Sequence, residues 1–507
     1  MKILSKFLAL LIAALSTIIP PLQQSYVTEF EKGWCIDNNG YDANSEEVDR
    51  LISVVPSANQ LAFNDLEYYN FIHFGMNTFT DSEWGTGDED PSLFNPTELD
   101  TDQWCRVLKA TGSKGIIFTA KHHDGFCLFD SAYTDHDVMS SPFGKDIVEM
   151  LAKSCKKYDL KLGIYLSPWD RHEETYGTDK YNDYFVNQLT ELCNKDKYGE
   201  IFCFWFDGAC GEGPNGKVQT YDWDRYYEVI HTLQPNAIIS NCGPDVHWIG
   251  NEEGKVRDSE WSVIPASTVS VDAVMDGSQK EDGVLPEVDS YTEDMGSREV
   301  VAQYRDLKWS PAEADISVTT GWFYHDNSYY LKNNPFGVRS ARKLAKIYFN
   351  TVGGNASLLL NVPPDTRGLI SDREIETLEE FAKLIKEPFE NEISYTPSLI
   401  NTSGENRATD TVAVKLADDE YGISLKLDSK QKVSTIVLRE NVAFSQRVED
   451  FDIYAKKGDG YVRISDCTVI GSKKIVRLTV PVRTDEIVVI FRQSRSNPVI
   501  SEISLYS

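Results

Sequence analysis

The sequence predicts two folded units: an α/β region forming a (β/α)8-like barrel over residues 69–387, and an all-β sandwich over residues 404–507. Three observations predict them. From Tyr69 to Glu387, short apolar, β-branched or aromatic runs alternate with longer runs of 3.6-residue period. Eight near-continuous apolar strands separated by helices indicate a buried parallel sheet closed on itself. Past Ser403, strand signals recur at close spacing with few helix signals, the pattern of an antiparallel sandwich. The charge also changes near that boundary. Tyr421–Ser507 holds 14 Lys and Arg against 10 Asp and Glu, whereas the whole 507-residue chain carries a net charge of −29.

The elements follow in order. Residues 1–25 place Lys2 and Lys6 ahead of an apolar run, Phe7–Ile19, closed by Pro20 and Pro21. A basic start and an apolar stretch too short to span a membrane predict a secretory signal, and hence an exported periplasmic or extracellular protein. Residues 26–68 form a lead segment. The predicted barrel strands are 70–75, 115–120, 161–167, 200–206, 237–241, 260–264, 315–320 and 356–362. Helices are expected over Asp146–Tyr158, Tyr181–Cys193, Asp222–Leu233, Arg339–Thr351 and Ser371–Lys386. No well-marked helix separates the fifth and sixth strands, so irregularity is expected there. Residues 388–403 read as a linker. The sandwich strands are read from GISLKL, VSTIVLRE, FDIYAK, YVRIS, KKIVRLTV, DEIVVIFR and ISEISLYS.

A surface this acidic repels nucleic acid and anionic membrane, so no nucleic-acid partner is expected, and no membrane contact beyond export. The nine cysteines show no CxxC or zinc spacing and predict no disulfide framework. The excess of Trp and Tyr suits a sugar-binding cleft as well as an ordinary aromatic core.

In such a barrel the chemistry sits at the C-terminal ends of the strands. The fourth strand runs directly into Asp207, a carboxylate that must there be solvated, capping or functional. His73 ends the first strand, ahead of Asp81, Glu83 and Trp84; His122 and His123 end the second; Tyr165 lies in the third, before Trp169, Asp170 and Arg171. Three of the eight histidines thus gather at two strand ends. A metal site is the competing reading. Adjacent residues 122 and 123 would point to opposite faces of a regular strand, and no H-x-H or H-x-x-E-H motif occurs, so neither metal nor cofactor is expected.

FIHFGMNTFTDSEWG, TAKHHDGFCLFDS, GIYLSPWDRH, FWFDGA and LLLNVPPDTRG together resemble the α-L-fucosidases of glycoside hydrolase family 29, over about Phe71 to Ile370. WIGNEEG and GWFYH are more similar to the subfamily that prefers α-1,3/1,4-linked fucose in branched, Lewis-type glycans. The resemblance implies a catalytic barrel, a fucosylated oligosaccharide or glycoconjugate glycan as partner, and no metal. It implies Asp207 as nucleophile, with His73, Glu83, Trp84, His122, His123, Tyr165 and Trp205 lining the fucose pocket. A neutral sugar with three ring hydroxyls and an apolar methyl group suits imidazoles, carboxylates and aromatic rings.

The resemblance places the acid/base at Glu252 of the Gly250-Asn251-Glu252 segment, with Glu253, Glu260 and Glu212 as alternatives. The implied mechanism is retaining, with the two carboxyl groups about 5–5.5 Å apart. Trp322 follows the seventh strand and is expected either to floor the methyl side of the pocket or to sit in the core. Trp169, Asp170 and Arg171 are expected either to touch the leaving sugar or to form a surface ion pair. The C-terminal unit resembles a discoidin-like (F5/8 type C) sandwich, which by itself supplies no function. The alternatives to a fucosidase are another retaining exo-glycosidase of this fold and a glycan-binding protein without catalysis.

Overall fold

A computed structural model of the chain describes residues 29–30, 33–36, 46–280, 294–325, 337–401 and 421–507. The predicted signal (1–25), the last two residues of the expected linker and the expected start of the sandwich lie outside the described residues. No described helix is long and apolar enough to cross a membrane.

Eight parallel strands build the barrel: β1 (Tyr68–Ile72), β2 (Gly115–Lys121), β3 (Lys161–Leu166), β4 (Ile201–Phe206), β5 (Ile238–Asn241), β6 (His247–Trp248), β7 (Ala312–Ser317) and β8 (Ala356–Asn361). Their order around the sheet is β5-β4-β3-β2-β1-β8-β7-β6. A single parallel bridge, Ser240↔Val246, lies at the seam between β5 and β6. Strand alternation divides the side chains. Tyr69, Phe71, Ile117, Tyr165, Cys203, Trp205, Ile238 and Leu359 form one buried cluster inside the barrel. Ile72, Phe118, Ile164, Phe204 and Leu360 face the other way, into the layer shared with the helices.

Those helices are α1 (Thr101–Thr111), α2 (Ile147–Tyr158), α3 (Asp179–Leu192), α4 (Trp223–Leu233), α5 (Ala341–Thr351) and α6 (Asp372–Lys386). Their starts are written locally. Asp100, Asp146, Asp222, Ser340 and Ser371 each accept a hydrogen bond from a backbone N–H in the first turn. Each cap contributes on the order of 1 kcal/mol.

The predicted sixth strand is a correction. Residues 260–264 do not enter the barrel: Val263–Pro265 pairs antiparallel with Leu307–Trp309 in a separate ribbon. The apolar character of that stretch reflects burial against the sandwich, where the Arg495 guanidinium lies 4.0 Å from the Trp261 ring and the Gln446 amide accepts from Ser262 N–H. The true sixth strand has two residues, too few to display a period.

The C-terminal sheet is antiparallel. Tyr421–Glu440 and Lys474–Ser494 each join two of the predicted short strands into one long strand with register shifts. The shifts let one strand bend between the two layers over a shared core of Ile423, Leu438, Phe451, Val489 and Leu505. Tyr395–Asn401, inside the stretch read as a linker, pairs with Tyr421–Leu427. Gly33–Cys35 from the lead segment pairs with Val499–Ile500. No disulfide occurs among the described residues.

Barrel and sandwich are joined by packing and by polar contacts. Lys473 pairs with Glu67 at 2.7 Å, Arg439 pairs with the same carboxylate, and Asn355 accepts from Ser472 N–H at 2.7 Å. Gly353 faces Ile475 so closely that a β-carbon would meet its side chain at 2.8 Å.

Candidate active site

The alternation that buries Cys203 and Trp205 inside the barrel carries Asp207 to the same side, one residue past the end of β4. Its Oδ2 accepts from the Tyr165 hydroxyl at 2.8 Å and its Oδ1 from Ala209 N–H at 2.9 Å. About a quarter of the Asp207 side chain stays open to the cleft. Tyr165 in turn stacks on Trp205, with ring centroids 5.5 Å apart and planes 15° apart. The Trp205 indole N–H donates to the buried Glu313 carboxylate of β7 at 2.6 Å.

His73 ends β1 and is held by Asn361 of β8, whose Oδ1 lies 2.9 Å from its Nδ1. His122 and His123 follow β2. The expectation that they point to opposite faces is corrected: the strand has a register shift before Lys121 and ends there, and the two rings lie 4.1 Å apart at 44°. Burial, the largest influence, pushes His73 and His123 down to about 4 and His122 well below its ordinary value. All three imidazoles are therefore neutral at ordinary pH. His122, His123 and Asp207 are also the described set that could each offer a metal-ligand atom, all within 4.8 Å of one another.

Loops supply the other wall. Glu83 and Trp84 come from the segment after β1. The Trp84 ring meets His123 edge-on at 5.2 Å and Trp169 at 5.1 Å. Glu83 accepts from the Trp322 backbone N–H at 2.8 Å and pairs with His325, whose other nitrogen lies 2.9 Å from Asp81. Burial alone would lower the His325 pKa, but the two carboxylates outweigh it and raise it. Trp322 is half-buried, with its ring 5.1 Å from His73 and 6.1 Å from Phe71. Its side chain also hydrogen-bonds Glu252.

Glu252 follows the short β6. Water reaches it, yet protein crowds it, and that poor solvation is the main reason its acid is pushed up to about 7. Nearby Asp207 and Glu83 push in the same direction, against the Trp322 hydrogen bond. The other glutamates are placed differently. Glu253 turns out to an exposed pair with Lys255, which lowers its pKa. Glu260 is fully buried between Arg257 (3.1 Å) and His247 (3.7 Å), and these outweigh burial to lower its pKa. Glu212 is exposed, in a loop bridged to Val218.

Asp170 is placed neither to touch a leaving sugar nor to form a surface ion pair. Asp170 is buried in a 2.7 Å ion pair with Lys121 of β2 and accepts from two backbone N–H groups. The Arg171 guanidinium donates to the Gly85 carbonyl and fixes the loop that carries Glu83 and Trp84.

A strand-end carboxylate amid neutral imidazoles and stacked aromatic rings, with a second acid of raised pKa nearby, suits hydrolysis of a neutral sugar. The comparisons agree. The α-L-fucosidase family model matches residues 26–388, well over half of the chain. The chain belongs to the α-L-fucosidases, glycoside hydrolase family 29. The fucosidase is 36% identical to α-L-fucosidase 1 of Arabidopsis thaliana over 474 residues, covering 89% of this chain and 87% of that one. A crystal structure of a putative α-L-fucosidase from Bacteroides ovatus superposes with a TM-score of 0.78 at 39% identity, covering 92% of this chain and 76% of that one. A Ruminococcus gnavus family 29 fucosidase in complex with fucose gives 0.72 at 28% identity, covering 90% and 95%.

Several residues that shape this fucosidase's site escaped sequence reasoning. Asn361, Asn77 and Ser167 hold the histidines; Glu313 holds Trp205; the buried Asp315 accepts from the Trp248 indole at 3.0 Å. The one signal in the sequence was charge inside an apolar strand: Glu313 and Asp315 sit two apart in β7, and so face the barrel interior.

Proposed function

We propose that this fucosidase is an exo-acting, retaining enzyme that removes terminal α-1,3/1,4-linked fucose from branched glycans, with Asp207 as nucleophile and Glu252 as acid/base. The observation that carries the reading is the contrast between the two carboxyl groups. Asp207 accepts hydrogen bonds at both oxygens, as a carboxylate does, and offers an exposed face to the cleft. Glu252 is held near 7, where an acid can still deliver its proton. In the first step Asp207 attacks the anomeric carbon while Glu252 protonates the leaving glycosidic oxygen. In the second step Glu252, now the base, takes a proton from water as that water displaces Asp207 and releases fucose. His73, His122, His123, Glu83 and Tyr165 would bind the sugar's hydroxyls, and Trp84, Trp205 and Trp322 would shape the apolar side.

The linkage preference draws on the WIGNEEG and GWFYH stretches, which supply Glu252, Trp322 and His325. The basic, apolar start of the chain supports export. Free fucose measured from a Lewis-type trisaccharide and from an α-1,2-fucosylated one tests the reading, with Asp207→Ala as the blank. Release from the branched sugar alone is expected. Equal release from both removes the linkage preference, and no release from either or from an aryl fucoside removes the catalytic reading in favour of a glycan-binding protein.

A further inference from the structure

Three imidazoles border the cleft, and their neighbours determine which nitrogen of each carries the hydrogen. At His73, the Asn361 Nδ2 donates to the Trp322 carbonyl at 2.7 Å and to Ser317 Oγ at 2.9 Å. That turns the amide oxygen toward His73, 2.9 Å from Nδ1. An amide oxygen only accepts, so the hydrogen is on Nδ1 and Nε2 is a bare acceptor. At His123, Ser167 Oγ lies 2.7 Å from Nδ1 and 2.6 Å from the Trp169 carbonyl. A hydroxyl has one hydrogen and a carbonyl has none to give, so Ser167 donates to Trp169 and accepts from His123 Nδ1. His123 Nε2 is therefore also an acceptor. At His122 the order reverses. Asn77 Nδ2 donates to the Glu83 carbonyl at 3.2 Å, which fixes the amide, and lies 3.3 Å from His122 Nδ1. His122 Nδ1 accepts, and Nε2 carries the hydrogen.

We propose that Asn361, Asn77 and Ser167 are positioning residues that fix His73, His122 and His123 as acceptor, donor and acceptor, so that the pocket takes a ring whose hydroxyls supply most of the hydrogens. The strong depression of all three imidazole pKa values keeps that pattern in place, because an imidazolium would donate from both nitrogens. Asp207 and Glu83 add two further acceptors. His123 Nε2 and Asp207 Oδ2 lie 3.8 Å apart as neighbouring acceptors, and a ligand hydroxyl beside them can donate its one hydrogen to either. The inference rests on the proposed function for the identity of the ring; the proton positions are independent of it.

Neutron diffraction from D2O-exchanged crystals of the unliganded enzyme near neutral pH reads those positions directly. Deuterium is expected on Nδ1 of His73, on Nδ1 of His123 and on Nε2 of His122. Deuterium on Nε2 of His73 or His123, on Nδ1 of His122, or on both nitrogens of any of the three overturns the proposal. Ser167→Ala is expected to raise KM for an aryl fucoside about five- to tenfold, the size of one lost hydrogen bond. Its neutron map should no longer place the His123 hydrogen on Nδ1 alone. A folded variant with unchanged KM and an unchanged map removes Ser167 from the role. The expected map in a protein that releases no fucose would keep the proton pattern and sink the catalytic reading instead.

Discussion

The two walls of the cleft are made differently. Along β1 to β4 each side chain that reaches the site stands at or just past a strand end, held by a partner on a neighbouring strand or loop: His73 by Asn361, His123 by Ser167, Asp207 by Tyr165. Opposite them, Glu83, Glu252 and Trp322 come from loops, and they hold one another through Trp322 and His325. The strand wall is rigid because the barrel is packed, so its groups have fixed places, and burial keeps its three imidazoles neutral. The loop wall is set by a small polar network, and there charge decides what the groups do. On the proposed assignment, the nucleophile Asp207 has the first kind of support, and Glu252, which would change protonation twice per turnover, has the second.

That comparison can be broken from either side. The largest effect is expected at the strand wall: Asp207→Ala should lower kcat on an aryl fucoside on the order of 10⁴-fold or more while the protein stays folded, measured by initial rates and circular dichroism. Next is the loop wall. Glu252→Gln should lower turnover of a natural glycan about 10²–10⁴-fold, and that of an activated aryl fucoside far less, because a good leaving group needs little protonation. If Glu252 is the proposed acid, kcat/KM of the wild type should fall as pH rises past about 7, where Glu252 loses its proton. A basic limb that survives unchanged in Glu252→Gln would assign it to another group.

Stability should separate the walls as well. Lys121→Met leaves Asp170 as an unpaired buried charge under the strand wall and is expected to cost about 3–5 kcal/mol in urea unfolding. The Lys121 and hydrogen-bond contributions lower the Asp170 pKa despite burial. Its stabilisation is therefore complete above the ordinary Asp value and is lost as pH falls through the lower folded one. His325→Phe should act on the loop wall, raising KM through Glu83 about tenfold. The His325 pKa is raised on folding, so its stabilisation is complete below the ordinary His value and fades as pH rises through the folded one. The smallest effect is expected for Glu253→Gln, which removes only an exposed pair with Lys255 and should leave both rate and pH profile unchanged.

The same division explains what the sequence made legible. Apolar runs ending in a polar residue mark the strand wall: Asp207 stood out by itself, and His73, His122 and His123 as a set. β6 could not, since two residues carry no period, and residues 260–264 imitated a strand because the sandwich buries them. Asp170 looked available in sequence, yet Lys121, 49 positions earlier, takes its carboxylate. Asn361, Ser167 and Glu313 act only through contacts made on folding, so no local pattern announces them. Glu252 was reached by resemblance; its crowded setting and its neighbours Asp207 and Glu83 are tertiary facts.

The most direct test of the central claim is to trap the glycosyl-enzyme. Incubation with 2-deoxy-2-fluoro-fucosyl fluoride, followed by peptic digestion and mass spectrometry, should find one fucosyl label, on Asp207 in the peptide containing FWFDGA. A label on another carboxylate, or an active enzyme that forms no covalent adduct and releases fucose with inverted configuration, would contradict the account.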